Sequence, residues 1–285
     1  MKLVQYRLRS DAQGRIRVGE WLENGSVRSL DATDMKTLIR RFGADEQEIR
    51  QKAASGEAEL SADDVRLIAP IHNPDKMIFV GLNYKDHVEE SNMAMPEVPV
   101  LFPKYPNAIV GPEDDVIIPA EVRECDYEVE LAVVIGREAK RVSPEQAMNY
   151  VFGYTVINDV SARDLQLREG QWTRGKAIDT FAPMGPCIAT KDDVPAPHLL
   201  NLSLTLNGGV MQGSNTRELI FDIPYLISFI SRTMTLQPGD IISTGTPPGV
   251  GMGRTPPVWI RDGDVTEAFV ERIGLLRNRY VQERD

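Results

Sequence analysis

Eight short apolar or alternating segments follow one another from residue 76 to residue 281, with few helix-length amphipathic stretches between them: 76–81, 115–118, 127–136, 151–158, 202–206, 240–243, 266–273 and 275–281. A doubly wound parallel sheet needs a helix after nearly every strand, so this pattern predicts a mainly β, largely antiparallel, rolled or barrel-like domain. Asn207-Gly208, between LTL and VMQ, is a hairpin turn signal, because both central residues of the favoured turn take positive φ. Only two helices are legible here. Ser143 with Pro144 and Gln146 predicts a capped start, and the apolar stripe from Ile223 to Met234 predicts a helix ended by Pro238-Gly239.

Residues 1–70 read differently. Alternating runs at 2–8 and 15–22 predict strands, and 34–42 and 45–54 predict helices, giving a small N-terminal α+β domain. The proline-containing stretch Ala69 to Pro74 predicts a linker into a second domain over 71–285. The expected class is therefore α+β, mainly β.

Charge and cysteine content narrow the function. With 32 Lys and Arg against 42 Asp and Glu the chain carries a net charge of −10, which argues against phosphate-backbone binding and so against nucleic-acid partners. Two cysteines, Cys125 and Cys187, are too few for a disulfide scaffold. No apolar run reaches the roughly 18 residues a membrane span needs, and the first residues lack a signal-peptide core, so a cytoplasmic location is expected, or a mitochondrial one in a eukaryote.

Within Asp126-Tyr-Glu128-Val-Glu130-Leu-Ala-Val-Val, a period of two puts Glu128 and Glu130 on one strand face, roughly 7 Å apart at Cα. An isolated pair of this kind is more often a solvated acidic face. Here residues 111–130 hold eight acids against Arg123 alone, and a bound cation would relieve their repulsion. Asp159, ending the run VFGYTVIN, is a third candidate ligand, or else a helix cap. Three oxygen donors without clustered His or Cys point to a hard cation, Mg2+ or Mn2+. His87 has Glu90 three residues on, the spacing of an oriented general base or of an exposed polar helix. Arg163, Arg168, Arg174 and Lys176 supply positive charge after Asp159, and the glycine-rich stretch from Ser243 to Gly253 exposes backbone N–H groups without the Lys-Ser/Thr pair of a phosphate loop.

The ordered segments GLNYKDHVEE, DYEVELAVVIG, INDVSARDLQ, GKAIDTFAPMGP and STGTPPGVG together resemble the catalytic domain of the fumarylacetoacetate hydrolase superfamily, from about Lys76 to Val281. The resemblance implies a β-roll domain that binds Mg2+, with Mn2+ or Ca2+ as alternatives, through Glu128, Glu130 and Asp159. It implies His87 and Glu90 as a water-activating dyad, with Lys176 and Gln166 stabilising an oxyanion. Tyr84, Arg163 and Thr246 fall where substrate contacts are expected, the segment after Tyr84 is expected to act as a lid, and the protein is expected to be a homodimer. The implied activity is Mg2+-dependent hydrolytic C–C cleavage of an acylpyruvate, a small anionic 2-oxo acid, to pyruvate and a carboxylic acid. The same enolate chemistry serves oxaloacetate tautomerisation or decarboxylation, or 2-hydroxyhepta-2,4-diene-1,7-dioate isomerisation; a non-catalytic metal-binding protein is a further alternative.

Overall fold

The computed structural model describes residues 1–43, 45–54, 59–91 and 94–284. Its frame is a twelve-stranded mixed sheet and a five-stranded sheet. Along the larger sheet the strands run Glu59–Leu60, Val27–Leu30, Arg17–Trp21, Lys2–Leu8, Ala182–Thr190, Val151–Asn158, Val129–Ile135, Ile241–Ser243, Met77–Gly81 and Val100–Lys104. Hydrogen bonding thus passes from the N-terminal strands into the later ones through the pair Leu3 with Ile188. The smaller sheet is Gly209–Asn215, Asn201–Leu206, Val265–Val270, Gly274–Gln282 and Asp115–Ile118. The Asn207-Gly208 turn joins its first two strands, with both residues at positive φ as the sequence requires.

The strand Val129–Ile135 explains why the sheet carries two cores. All seven residues are buried, because alternate side chains serve opposite faces. Val129, Leu131 and Val133 pack with Leu204, Ala268 and Tyr280 of the smaller sheet. Ala132 and Val134 pack on the other face with Met35, Leu38 and Ile39 of the helix Met35–Phe42, whose N-cap Asp34 accepts a bond from the Thr37 N–H.

Three expectations change in detail. The strand expected from Tyr127 begins only at Val129; Cys125–Asp126 form a separate short strand, and Glu128 lies in the break between them. Ser143 precedes a four-residue helix but its side chain makes no capping bond, so the predicted capping box does not form. The helix expected to reach Met234 ends at Ser231. Strands at Val27–Leu30, Val65–Ile68, Val100–Lys104 and Ala182–Thr190 were not foreseen. No helix among the described residues is long and apolar enough to cross a membrane, and both cysteines are buried free thiols.

Candidate active site

Adjacent antiparallel strands place the three carboxylates. Val129 pairs with Asn158, so the ends of the two strands lie side by side, and the Asp159 N–H donates to the Glu128 carbonyl at 2.8 Å. Glu130 is the second residue of its strand. The result is a buried group in which one oxygen from each of Glu128, Glu130 and Asp159 lies within 4.8 Å of the others.

Buried carboxylates need partners, and most are supplied. Lys176 Nζ lies 2.7 Å from both Glu128 Oε2 and Asp159 Oδ2. Arg163 spreads its guanidinium over Asp126 (Nε to Oδ2, 2.9 Å), Glu128 (Nη2 to Oε1, 2.5 Å) and Gln166 (Nη1 to Oε1, 3.0 Å). Burial would raise the Glu128 carboxyl, but the charges of Lys176 and Arg163 prevail and hold it at about 2. Glu130 differs. Among the described residues it has no cation in ion-pair distance and accepts only the Ser243 hydroxyl at 2.5 Å and the Gly245 N–H at 3.0 Å. Burial, together with the charges of Asp159 and Glu128, pushes it well above the usual carboxylate range.

Lys104 escaped the sequence reading. Its side chain is fully buried, with Nζ 2.5 Å from Asp159 Oδ1, yet its N–H groups are directed at the carbonyls of Val160 (2.8 Å) and Phe181 (2.5 Å). Two of its three N–H groups go to these carbonyls, and the ammonium pairs with Asp159 Oδ1 through the third. Burial lowers the Lys104 ammonium to about 8 against the pull of Asp159. Phe79 lies beneath this lysine at 5.5 Å and Phe102 beneath Lys176 at 5.1 Å, so aromatic faces replace part of the lost water. In Val100–Lys104, Phe102 points inward, Pro103 outward and Lys104 inward.

Lys176 reaches the carboxylates because its short helix, Thr173–Lys176, packs against Arg163–Gln166 without a side chain between. A Cβ on Gly175 would lie 2.6 Å from the Gln166 nitrogen and 2.7 Å from the Ala162 carbonyl, so only glycine permits the approach.

The helix Lys85–Ser91 carries the dyad. His87 Nδ1 and Glu90 Oε2 are 3.2 Å apart, and His87 is buried. Burial raises the Glu90 carboxyl, but His87, the Gly249 N–H and the Arg254 charge outweigh it and hold it below its ordinary value. The helix is fixed at both ends, by Ser214 donating to Asp86 at 2.9 Å and by Gly249 donating to Glu90 at 2.9 Å. At its start Tyr84 is buried with a phenol O–H that has no partner among the described residues, close enough to Glu130 to feel its charge.

The glycine-rich segment joins these parts. Its amides bind the protein's own acids: Gly245 to Glu130, Gly249 to Glu90, and Gly251 and Met252 to Asp126 at 2.6 and 3.1 Å. At Gly251 a Cβ would sit 2.0 Å from the Val258 carbonyl and 2.6 Å from Asp126 Oδ1. Asp126, which the sequence reading gave no individual role, is therefore the link from this loop through Arg163 to Glu128. Thr246, expected as a substrate contact, donates to the Val129 carbonyl at 3.0 Å and accepts from Gln212 at 2.8 Å.

The oxygen-only donor set and a Glu130 carboxyl without a cation in ion-pair distance among the described residues fit a hard divalent cation. A dyad bonded to the loop that also holds Glu130 suits proton transfer on a ligand anchored there.

Residues 76–281 match the model of the fumarylacetoacetate (FAA) hydrolase C-terminal family. The rat protein named oxaloacetate tautomerase Fahd2a, mitochondrial, is 41% identical across 99% of this chain and 92% of its own length. Two solved structures superpose over essentially the whole chain. The 5-carboxymethyl-2-hydroxymuconate delta-isomerase from Mycobacterium smegmatis is 37% identical with a TM-score of 0.80, covering 100% of both chains. The fumarylacetoacetate hydrolase from Exiguobacterium antarcticum is 37% identical with a TM-score of 0.87, covering 99% of this chain and 100% of its own. By family match, by relatives and by fold, the chain belongs to the fumarylacetoacetate hydrolase family of enzymes.

Proposed function

We propose that this enzyme interconverts the keto and enol forms of a 2-oxo dicarboxylic acid of the oxaloacetate type. The observation that carries the reading is the fixed His87–Glu90 pair, bonded through the glycine-rich loop to the site of the three carboxylates. The tautomerase and isomerase names of the relatives favour proton transfer over hydrolysis.

Glu128, Glu130 and Asp159 would hold a divalent cation, for which Mg2+ is the best chemical match. Such an ion, when bound, supplies Lewis-acid stabilisation of enolate charge. The chain's own groups do the rest. In the keto-to-enol direction the C3–H bond breaks, its proton passes to His87 Nε2, its electron pair becomes the C2=C3 bond, and the carbonyl π pair moves to the C2 oxygen, which takes a proton from water. Glu90, bonded to Nδ1, holds the imidazole in position and stabilises the imidazolium. Lys176 contributes positive charge near that oxygen, and the Tyr84 O–H, without a partner among the described residues, is a donor for it. Arg163 and Gln166 act through Glu128 by keeping its carboxylate in place.

Hydrolytic cleavage of an acylpyruvate is the second reading, favoured by the same dyad acting on water and by the similarity to a fumarylacetoacetate hydrolase. One comparison separates the two. With Mg2+ present, loss of enol absorbance from enol-oxaloacetate is measured beside the cleavage of acetylpyruvate and longer acylpyruvates. The expected result is a higher kcat/KM for ketonisation than for any cleavage; efficient cleavage with no acceleration of ketonisation would reverse the assignment.

A further inference from the structure

Arg254 is held unlike the other cations of the site. Lys104, Lys176 and Arg163 each lie within ion-pair distance of a carboxylate. Arg254 has no such partner among the described residues. Its Nη2 donates to the Met211 carbonyl at 2.5 Å and its Nε to the Gly249 carbonyl at 3.4 Å, so two main-chain oxygens orient the guanidinium without neutralising it.

Its place is beside the dyad. The preceding Gly253 packs so closely that a Cβ there would lie 2.9 Å from Glu90 Cδ. Gly249, whose carbonyl Arg254 holds, donates its own N–H to Glu90, and the Tyr127 hydroxyl meets the same carbonyl at 3.2 Å. Arg254 is also half-buried, open to solvent on one side.

We propose that Arg254 is a specificity-determining residue that receives the distal carboxylate of a 2-oxo dicarboxylate. The inference rests on the tautomerase reading above. If the first carboxylate and the 2-oxo group lie at the three-carboxylate site and the reacting carbon lies under His87, a second carboxylate one bond beyond that carbon falls at the rim formed by Glu90 and Arg254. Glu90 alone would repel it. A planar guanidinium accepts a carboxylate through two parallel bonds, and it offsets the Glu90 charge at the same place. A monocarboxylic 2-oxo acid has nothing to offer this group.

The test compares enol-oxaloacetate with enol-phenylpyruvate, a monocarboxylate, in wild type, Arg254→Gln and Arg254→Lys. Glutamine keeps an N–H for the Met211 carbonyl and removes the charge. The ratio of kcat/KM for the dicarboxylate to that for the monocarboxylate should fall about 10- to 100-fold in Arg254→Gln, the worth of a charge-assisted bond, and less in Arg254→Lys. An unmoved ratio in an active Arg254→Gln, including a parallel loss on both acids, overturns the assignment of Arg254 alone. A wild type that accelerates neither acid overturns the tautomerase reading and this inference with it.

Discussion

Glu130→Gln should eliminate Mg2+ binding and lower turnover on the order of 10³-fold or more, the several kcal/mol that a Lewis-acidic cation contributes to stabilising charge. The fold should survive. The amide oxygen of glutamine can still accept from the Ser243 hydroxyl and the Gly245 N–H, the two bonds that Glu130 makes. Glu128→Gln is the less clean experiment, because Arg163 and Lys176 both rest on Glu128 and would be left as buried charges short of a partner. Breaking such a pair costs about 3–5 kcal/mol of stability, so loss of activity there mixes two causes. Isothermal titration with Mg2+, beside a thermal melt, distinguishes them. Unchanged Mg2+ affinity in a folded Glu130→Gln protein would remove this carboxylate from the metal site.

The second large effect is expected at the dyad. His87→Gln should lower kcat for ketonisation by about 10²- to 10⁴-fold, the usual contribution of a positioned general base. Mg2+ affinity should stay close to wild type, because His87 bonds Glu90 and none of the three candidate ligands. Glu90 is a poorer target. It also anchors its helix to the Gly249 amide and packs against Gly253, so its removal would loosen the glycine-rich loop as well as the imidazole. Single-turnover ketonisation at saturating Mg2+ isolates the chemical step. A His87→Gln enzyme with wild-type kcat would exclude the imidazole as the proton carrier.

What the sequence revealed follows from how local each signal is. The apolar run VFGYTVIN is legible because it is buried on both faces, and Asp159 stands out as the acid that ends it; antiparallel pairing sets it beside Glu128. The pairing partner itself is not local information. Ala182–Thr190, the nine-residue strand that joins the N-terminal strands to the catalytic ones, was hidden by Pro183, Gly185 and Pro186, which read as turn signals. Glu128 and Glu130 do converge, although a strand running through Tyr127 and Glu128 was the wrong picture: Glu128 stands in the break, its N–H held by the Asn158 side chain at 2.9 Å. Lys104 and Asp126 were missed for another reason. A lysine after Phe-Pro and an aspartate among eight acids are unremarkable until long-range packing buries them, and their roles depend on Asp159, Arg163 and the Gly251 amide, all more than 30 residues away. Thr246, singled out as a substrate hydroxyl, donates to the Val129 carbonyl, a contact with no signature in the loop sequence.

Proton transfer to C3 under the control of His87 is tested most directly by ketonising enol-oxaloacetate in D2O with Mg2+ and reading the C3 position by NMR. One deuteron delivered to a single face of C3 by wild type, with that stereochemical preference lost in His87→Gln, is the expected result. Deuterium spread equally over both faces during wild-type turnover would contradict it, because a fixed imidazole can reach the enol from one side only.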